Sequence, residues 1–404
     1  DTKVAYEKTC LHHLIEAQAA KNADAPAVVY NGEMLTYKEL NERANQLAHY
    51  LLSIGIGLDV CVGICVERSL TMMVGILGII KAGGAYLPMD PALPAERLAF
   101  LAVDANLSVI LAQGKFAGIL PKENCRVLFL DTEWEQVSDK PASDPRTTVK
   151  PENLVYVMYT SGSSGKPKGV MIRHYSLMNR LAWMQKQYGI GREDILLQKT
   201  PFGFDVSVWE LFLWFFAGGS LCFLPPQGEK EPETIIQAVE KYGVTTIHFV
   251  PSMLGAFLTF VEKTGIERLK SLKHVFTSGE ALKTDHVNKF NRLFCHTDNI
   301  RMYNLYGPTE AAIDVSYYNL PMNCELNIVP IGKPIDNIKL YVVDKYLQLQ
   351  PLGVVGELCI SGVGLAKGYL NRPELTTEKF VRCSFAQDER IFKTGDLARW
   401  LPEG

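Results

Sequence analysis

Three observations predict an α/β fold of two lobes with a small antiparallel β-sheet or β-barrel appended. Helix-period and strand-like segments alternate over about the first three quarters of the 404 residues, as crossover units require. A polar stretch from Trp134 to Pro151, with three prolines, breaks that alternation and reads as a surface connection between lobes. Beyond Asn319 the pattern changes to short alternating strands separated by turn residues. The expected units are therefore 1–150, 151–320 and 321–404, and a chain of this length exceeds what one core usually serves.

The first clear element is a helix. Thr36 with Glu39 makes a capping box, Leu40, Ala44, Leu47, Leu51 and Leu52 repeat at helical spacing, and Gly55 ends the run. A strand at Val60–Val66 and a helix near Leu70–Ala82, closed by Gly83-Gly84, follow. The second lobe opens on an apolar strand, Leu154–Met158, and later carries an apolar helix over Val206–Phe216. In the third region Lys339–Val343, Leu347–Gln350 and Gly356–Ile360 read as strands.

Composition excludes several classes. The net charge is −3 and no Lys/Arg tract stands out, which gives no reason to invoke nucleic acid or an anionic membrane surface. The longest apolar runs, Met72–Ile80 and Leu211–Ala217, are far shorter than the ~20 residues a spanning helix needs. No signal-peptide pattern follows the polar start Asp1-Thr2-Lys3. Nine cysteines lack paired short spacings, Cys61 and Cys65 lie within an apolar run, and the histidines show no metal-ligand spacing. Buried thiols in a reducing cytoplasm and no structural metal are expected.

The strongest local signal is the stretch from Tyr159 to Gly169. It holds Thr160, Ser161, Gly162, Ser163, Ser164, Gly165, Lys166 and Lys168 after a buried strand. Glycines let the backbone approach an anion, hydroxyl and N–H groups donate to phosphate oxygens, and the lysines supply charge. Pro167 after Lys166 stops a helix from starting there, so this is not the P-loop pattern.

With that loop the chain resembles the adenylate-forming enzymes, and among them the adenylation domains of nonribosomal peptide synthetases. The motifs recur in order: Leu35–Leu40, Lys81–Pro88, the glycine loop, Phe204–Glu210, Asn304–Glu310, Gly356–Ile360, Gly368–Leu370 and Lys393–Asp396. The resemblance spans essentially the whole chain. It implies two lobes with mixed sheets flanked by helices and a small antiparallel barrel, and ATP and Mg²⁺ as cofactors. The glycine loop would hold the β- and γ-phosphates, Tyr306 would stack on adenine, and Asp396 would bind the ribose hydroxyls. Thr309, Glu310 and Lys166 would be catalytic, Glu310 holding the metal, and Gly279, Asn304 and Gly307 would complete the nucleotide site. Singly, Tyr306 also fits a core aromatic, Glu310 a surface acid and Asp396 a turn residue.

Asp205 precedes an apolar helix, an expensive place for a charge without a partner. Helix capping would explain it; the resemblance implies a salt bridge to a substrate α-ammonium. The side-chain pocket carried over from the family reads Asp205, Val206, Trp209, His248, Phe276, Ser278, Leu305, Ile313 and Asp314, and resembles that of serine-activating domains. His248, Ser278 and Asp314 would bring hydrogen-bonding groups to an otherwise apolar wall, which suits a small hydroxylated side chain.

The reaction implied is adenylation of an amino acid, L-serine by the pocket, followed by loading onto the phosphopantetheine thiol of a peptidyl carrier protein. Neighbouring synthetase domains and a small helper protein are the further partners implied. In the family a small C-terminal domain supplies a lysine to this site. The sequence stops at Arg399–Gly404 ahead of it, so intact ligand binding with reduced adenylation is expected. An acyl- or aryl-acid ligase of the same superfamily, and a non-catalytic nucleotide-binding module, are the competing readings; Asp205 argues against the first.

Overall fold

The computed structural model describes residues 2–402, apart from 122–124, 162–164, 298, 323–324, 384 and 386–388. Gly162, Ser163 and Ser164 of the glycine loop fall outside the described residues.

Two large mixed sheets carry the fold. Six parallel strands run through the middle of a nine-stranded sheet, in the order Arg301–Tyr306, His274–Thr277, Thr246–Phe249, Ile195–Gln198, Ser220–Phe223 and Pro26–Tyr30. Antiparallel strands close it: Ser316–Asn319 and Lys333–Pro334 on one side, Glu33–Thr36 on the other. The seven-stranded sheet runs Gly368–Tyr369, Lys168–Arg173, Leu154–Thr160, Ala85–Pro88, Cys61–Cys65, Val109–Ala112 and Arg126–Phe129. Its first two junctions are antiparallel and the rest parallel. Strand order therefore crosses sequence order: residues 26–36 join the sheet of residues 195–334, and residues 154–173 join that of residues 61–129.

Local chemistry sets the helices between them. In the helix Tyr37–Ser53 the Thr36 hydroxyl accepts from the Glu39 N–H at 3.2 Å and Glu39 accepts from the Thr36 N–H at 2.9 Å, the full capping box. Helix Leu70–Lys81 is buried from Met72 onward, as its uniformly apolar sequence requires. At Gly78 an added Cβ would lie 2.6 Å from Leu47 Cδ2, so the two helices touch backbone to side chain. Lys81, fully buried at the helix end, pairs with Glu16 at 2.5 Å and Asp144 at 3.0 Å. Asp144 also accepts from Asn41 and Asn45 at 2.9 Å each, so the polar connection around it is tied to the helix rather than lying loose.

The third region is a four-stranded antiparallel sheet: Ile338–Val343, Gly356–Gly362, Arg390–Ala398 and Phe380–Arg382. Its outer strands each pair on one side, which makes it an open sheet rather than a closed barrel among the described residues. The strand expected over Leu347–Gln350 is reduced to one bridge, Val343 to Leu349. The Asp344 carboxylate accepts the N–H groups of Tyr346 and Gln348 at 2.8 Å each and holds that segment as a turn. The apolar helix over 206–216 is shorter than expected, α-helical at Val206–Phe212 and 3₁₀ at Leu213–Phe215.

Candidate active site

In open α/β sheets ligands bind beyond the carboxyl ends of the parallel strands. There Thr246–Phe249, His274–Thr277 and Arg301–Tyr306 deliver His248, Phe276, Ser278, Asn304, Leu305 and Tyr306. His248 and Phe276 are cross-strand neighbours. From helix Val206–Phe212, Trp209 packs edge-on against His248 at 6.1 Å and Phe276 at 5.3 Å. His248, Phe276, Ser278, Trp209, Leu305, Val206, Ile313 and Asp314 are all buried, so nearly the whole expected pocket set faces one interior.

Asp205 sits at the cap position of its helix without a capping side-chain bond, its contact with the first turn being the Val206 N–H. Its Oδ2 is buried with no hydrogen-bond partner. Burial pushes its carboxyl up to about 7; the Thr309 hydroxyl pulls against this, while Asp314 and Glu310 push further up. A buried carboxylate without a counter-ion is costly to keep ionised unless a cation joins it.

The polar corner holds His248, Ser278 and Asp314. His248 Nε2 lies 3.0 Å from Ser278 Oγ. The Thr200 hydroxyl donates to Glu210 Oε1 at 2.7 Å and lies 3.5 Å from His248 Nδ1, so Thr200 can only accept from the ring. That arrangement leaves Nε2 as the acceptor on the pocket side. Burial first, then the charges of Lys199 and Arg180, hold His248 neutral. Asp314 binds Arg180 Nη2 at 2.6 Å, both side chains 1% exposed. Burial raises the Asp314 carboxyl, opposed chiefly by the Arg180 charge.

The turn that aims Asp314 is strained. Ala312 and Ile313 take φ of 59° and 81°, a region that a β-branched residue rarely enters. Gly307 lies against this turn, and a Cβ there would meet Asp314 Cα and the Ile313 oxygen at 2.5 Å each. Gly279, after Ser278, has φ of 86°.

On the nucleotide side, Glu310 Oε1 accepts from Lys168 Nζ and from Tyr369 Oη at 2.7 Å each, and Lys168 stands 4.4 Å over the Tyr369 ring. Tyr306 donates to Asp396 Oδ2 at 2.5 Å, which joins the two residues expected at adenine and ribose. Asp396 lies within the strand Arg390–Ala398 rather than in a free turn. Thr160 ends the strand Leu154–Thr160 and its hydroxyl is buried without a partner; Ser161, Gly165 and Lys166 are exposed. Thr160 pairs with Lys168 in register, so the glycine loop connects two antiparallel strands as a hairpin. Among the described residues no group of three or more His, Cys, Asp or Glu side chains could cage a metal. One carboxylate, Glu310, beside the glycine-loop Lys168 is a donor set that fits Mg²⁺ held jointly with phosphate oxygens, the usual arrangement for this ion.

Three participants escaped the sequence reading. Arg180 stands in the apolar stripe Leu177, Leu181, Met184 of helix His174–Tyr188, and a lone arginine in such a stripe was the available signal. Thr200 gave none. Tyr369 lay within the Gly368–Leu370 motif without an assigned role.

This fold and this site define a class. The AMP-binding enzyme family model matches residues 15–370, and the chain belongs to that family, within it to the adenylation domains of nonribosomal peptide synthetases. Among particular relatives, it is 51% identical to a mycosubtilin synthase polypeptide of Bacillus subtilis over 98% of this chain and 15% of that protein. It is likewise 51% identical to zwittermicin A synthase ZmaJ of Bacillus cereus, over 98% of this chain and 75% of that one. The crystal structure of the nonribosomal peptide synthetase FmoA3 matches with a TM-score of 0.93 at 30% identity, covering 100% of this chain and 42% of that one. FmoA3 has also been solved with AMPPNP and with α-methyl-L-serine-AMP bound. No helix among the described residues is long and apolar enough to cross a membrane.

Proposed function

We propose that this chain binds ATP and L-serine and forms seryl-AMP, for transfer to the phosphopantetheine thiol of a carrier protein in nonribosomal peptide synthesis. The observation that carries the reading is the pair of unlike acids in one pocket. Asp205 presents a buried oxygen without a partner, suited to an α-ammonium. Asp314 and the Ser278 oxygen, whose proton goes to His248, present acceptors at the far end, suited to a hydroxyl. The α-methyl-L-serine-AMP bound by FmoA3 supports the same class of ligand.

The chemistry asks little of the protein beyond positioning and charge. A serine carboxylate oxygen attacks the α-phosphorus, the new P–O bond forms, and the bond to pyrophosphate breaks. Asp205 holds the ammonium, and Thr309, one residue from Glu310, faces the α-phosphate. Lys166 and Lys168 with the glycine-loop hydroxyls neutralise the leaving phosphates. Tyr306 and Asp396 hold adenosine, with Asn304, Gly279 and Gly307 shaping the floor. Glu310 would hold Mg²⁺ together with the substrate phosphates, and the ion would supply charge neutralisation at the leaving group.

Calorimetry with non-hydrolysable seryl-, threonyl-, alanyl- and benzoyl-adenylate analogues tests this. A site built around a hydroxyl rejects the analogue lacking it by ~10⁴–10⁵, whereas one extra methyl is discriminated only ~10–200-fold. Seryl binding tightest, threonyl next and alanyl far weaker is the expected order. Preference for the benzoyl analogue refutes the amino-acid assignment, and preference for alanyl refutes serine.

A further inference from the structure

We infer that Arg180 is a specificity-determining positioning residue: from behind the pocket it keeps Asp314 as an ionised hydrogen-bond acceptor, and so sets the preference for a side chain that carries a hydroxyl donor. The inference rests on the serine reading of this pocket and deepens it.

Arg180 belongs to helix His174–Tyr188 and is 1% exposed. It reaches Asp314 through Nη2 alone, at 2.6 Å, and stacks 5.0 Å from the Trp183 ring. Its Nε and Nη1 are buried without partners, as are the hydroxyls of Tyr156 and Tyr188, on which its charge acts. A guanidinium has five N–H donors, and a buried ion pair offsets its desolvation only when the remaining donors are also satisfied. Apolar side chains replacing both Arg180 and Asp314 would serve the core as well or better. The arginine's use therefore lies in what it does to its neighbours.

Those neighbours form the polar corner of the pocket. A serine hydroxyl brings one proton to donate. An ionised carboxylate only accepts, a protonated one donates, and an imidazole presents an acceptor only when neutral. Burial alone drives Asp314 toward its protonated form, and the Arg180 charge is the largest influence against that drift. The same charge disfavours a proton on His248. Asp205, in turn, feels Asp314 as a like charge. Arg180 thus holds Asp314 in the state that welcomes a hydroxyl and adds to the burial and the Lys199 charge that keep His248 neutral. Ser278, between His248 and Asp314, gives its one proton to His248 Nε2 at 3.0 Å, which leaves its oxygen as a further acceptor.

The test compares seryl- and alanyl-adenylate analogue affinities for the wild-type chain and for Arg180→Gln, Arg180→Lys and Arg180→Met. Glutamine keeps an amide donor and loses the charge; lysine keeps the charge and loses the fork. Hydrogen bonds to a charged group contribute about 1.5–3 kcal/mol. Arg180→Gln should therefore lower the seryl-to-alanyl affinity ratio by roughly 10- to 100-fold, with alanyl binding little changed, and Arg180→Lys should restore most of the ratio. Arg180→Met leaves Asp314 buried without a partner; if that variant does not fold, the glutamine and lysine variants still decide. Equal losses for both analogues in Arg180→Gln, leaving the ratio at the wild-type value, overturn the inference and make Arg180 a packing residue. A wild-type chain without a seryl preference overturns the substrate reading, and this inference with it.

Discussion

Asp205 makes a quantitative prediction about pH. Its carboxyl is raised to about 7, chiefly by burial, so the free pocket carries a proton for much of the neutral range. A ligand ammonium binds the ionised form and must displace that proton. With a pKa near 7 the ionised fraction rises from about one tenth at pH 6 to about nine tenths at pH 8, and affinity should rise roughly tenfold, or about 1.4 kcal/mol. The ligand's own amine titrates in the opposite sense, but identically for wild type and Asp205→Asn. The difference between their pH profiles isolates Asp205. Calorimetry of the seryl-adenylate analogue in buffers of different ionisation enthalpy adds a second readout: wild type should release about half a proton near pH 7, and Asp205→Asn should not. Asp205→Asn should also bind about 10- to 100-fold more weakly at pH 8, where the charge-assisted bond is fully formed in the wild type. A wild-type affinity whose pH profile matches that of Asp205→Asn between pH 6 and 8 would refute the reasoning.

The same carboxylate should cost stability. Its folded value lies above the unfolded one, so destabilisation begins as pH rises past about 4 and is complete above about 7. Asp205→Asn should melt higher than wild type at pH 8 and about equally at pH 4, by scanning calorimetry of the unliganded chain. Gly307→Ala places a methyl 2.5 Å from Asp314 Cα; a loss of about 1–3 kcal/mol is expected, with weaker seryl binding from the displaced Asp314. Chemical denaturation and calorimetry measure the two, and an unchanged denaturation midpoint contradicts the close approach. Glu310→Gln should remove most of the Mg²⁺ dependence of ATP binding while leaving metal-free binding near the wild-type value. A Mg²⁺ response equal to wild type takes Glu310 out of the metal site.

How much could be read in advance follows from the range of the interactions. The capping box of Tyr37–Ser53 was legible because its partners lie three residues apart. Asp205 was legible because a charge beside an apolar helix contradicts its surroundings at short range. What the sequence left hidden depends on distant pairing. The strands Pro26–Tyr30 and Gly368–Tyr369 join sheets built mostly of residues far from them in the chain. Sheet closure is of the same kind, which is why an expected barrel is an open sheet. Arg180 was hidden by its partner, Asp314, which lies on another element far along the chain. The glycine loop was the clearest motif in the sequence, yet three of its residues lie outside the described structure.

Three acids meet around this site, and their unequal compensation assigns them. Glu310 is held by Lys168 and the Tyr369 hydroxyl, and Asp314 by Arg180. Asp205 is opposed by neutral groups, the Thr309 hydroxyl and the Val206 N–H, while both other acids act on it as like charges. One of its oxygens is buried without a partner. Isolated buried charge is too costly to keep for packing alone, and the neutral acid is the lower-energy state until a cation arrives. Ligand charge is thus most needed at Asp205 and least needed at Asp314, which already has its cation and can offer its remaining oxygen to a neutral hydroxyl. A small amino acid with a hydroxyl satisfies both ends at once. Under the proposed serine reading, an acid without an amine leaves Asp205 protonated and gains nothing there, so the same asymmetry disfavours acyl and aryl acids.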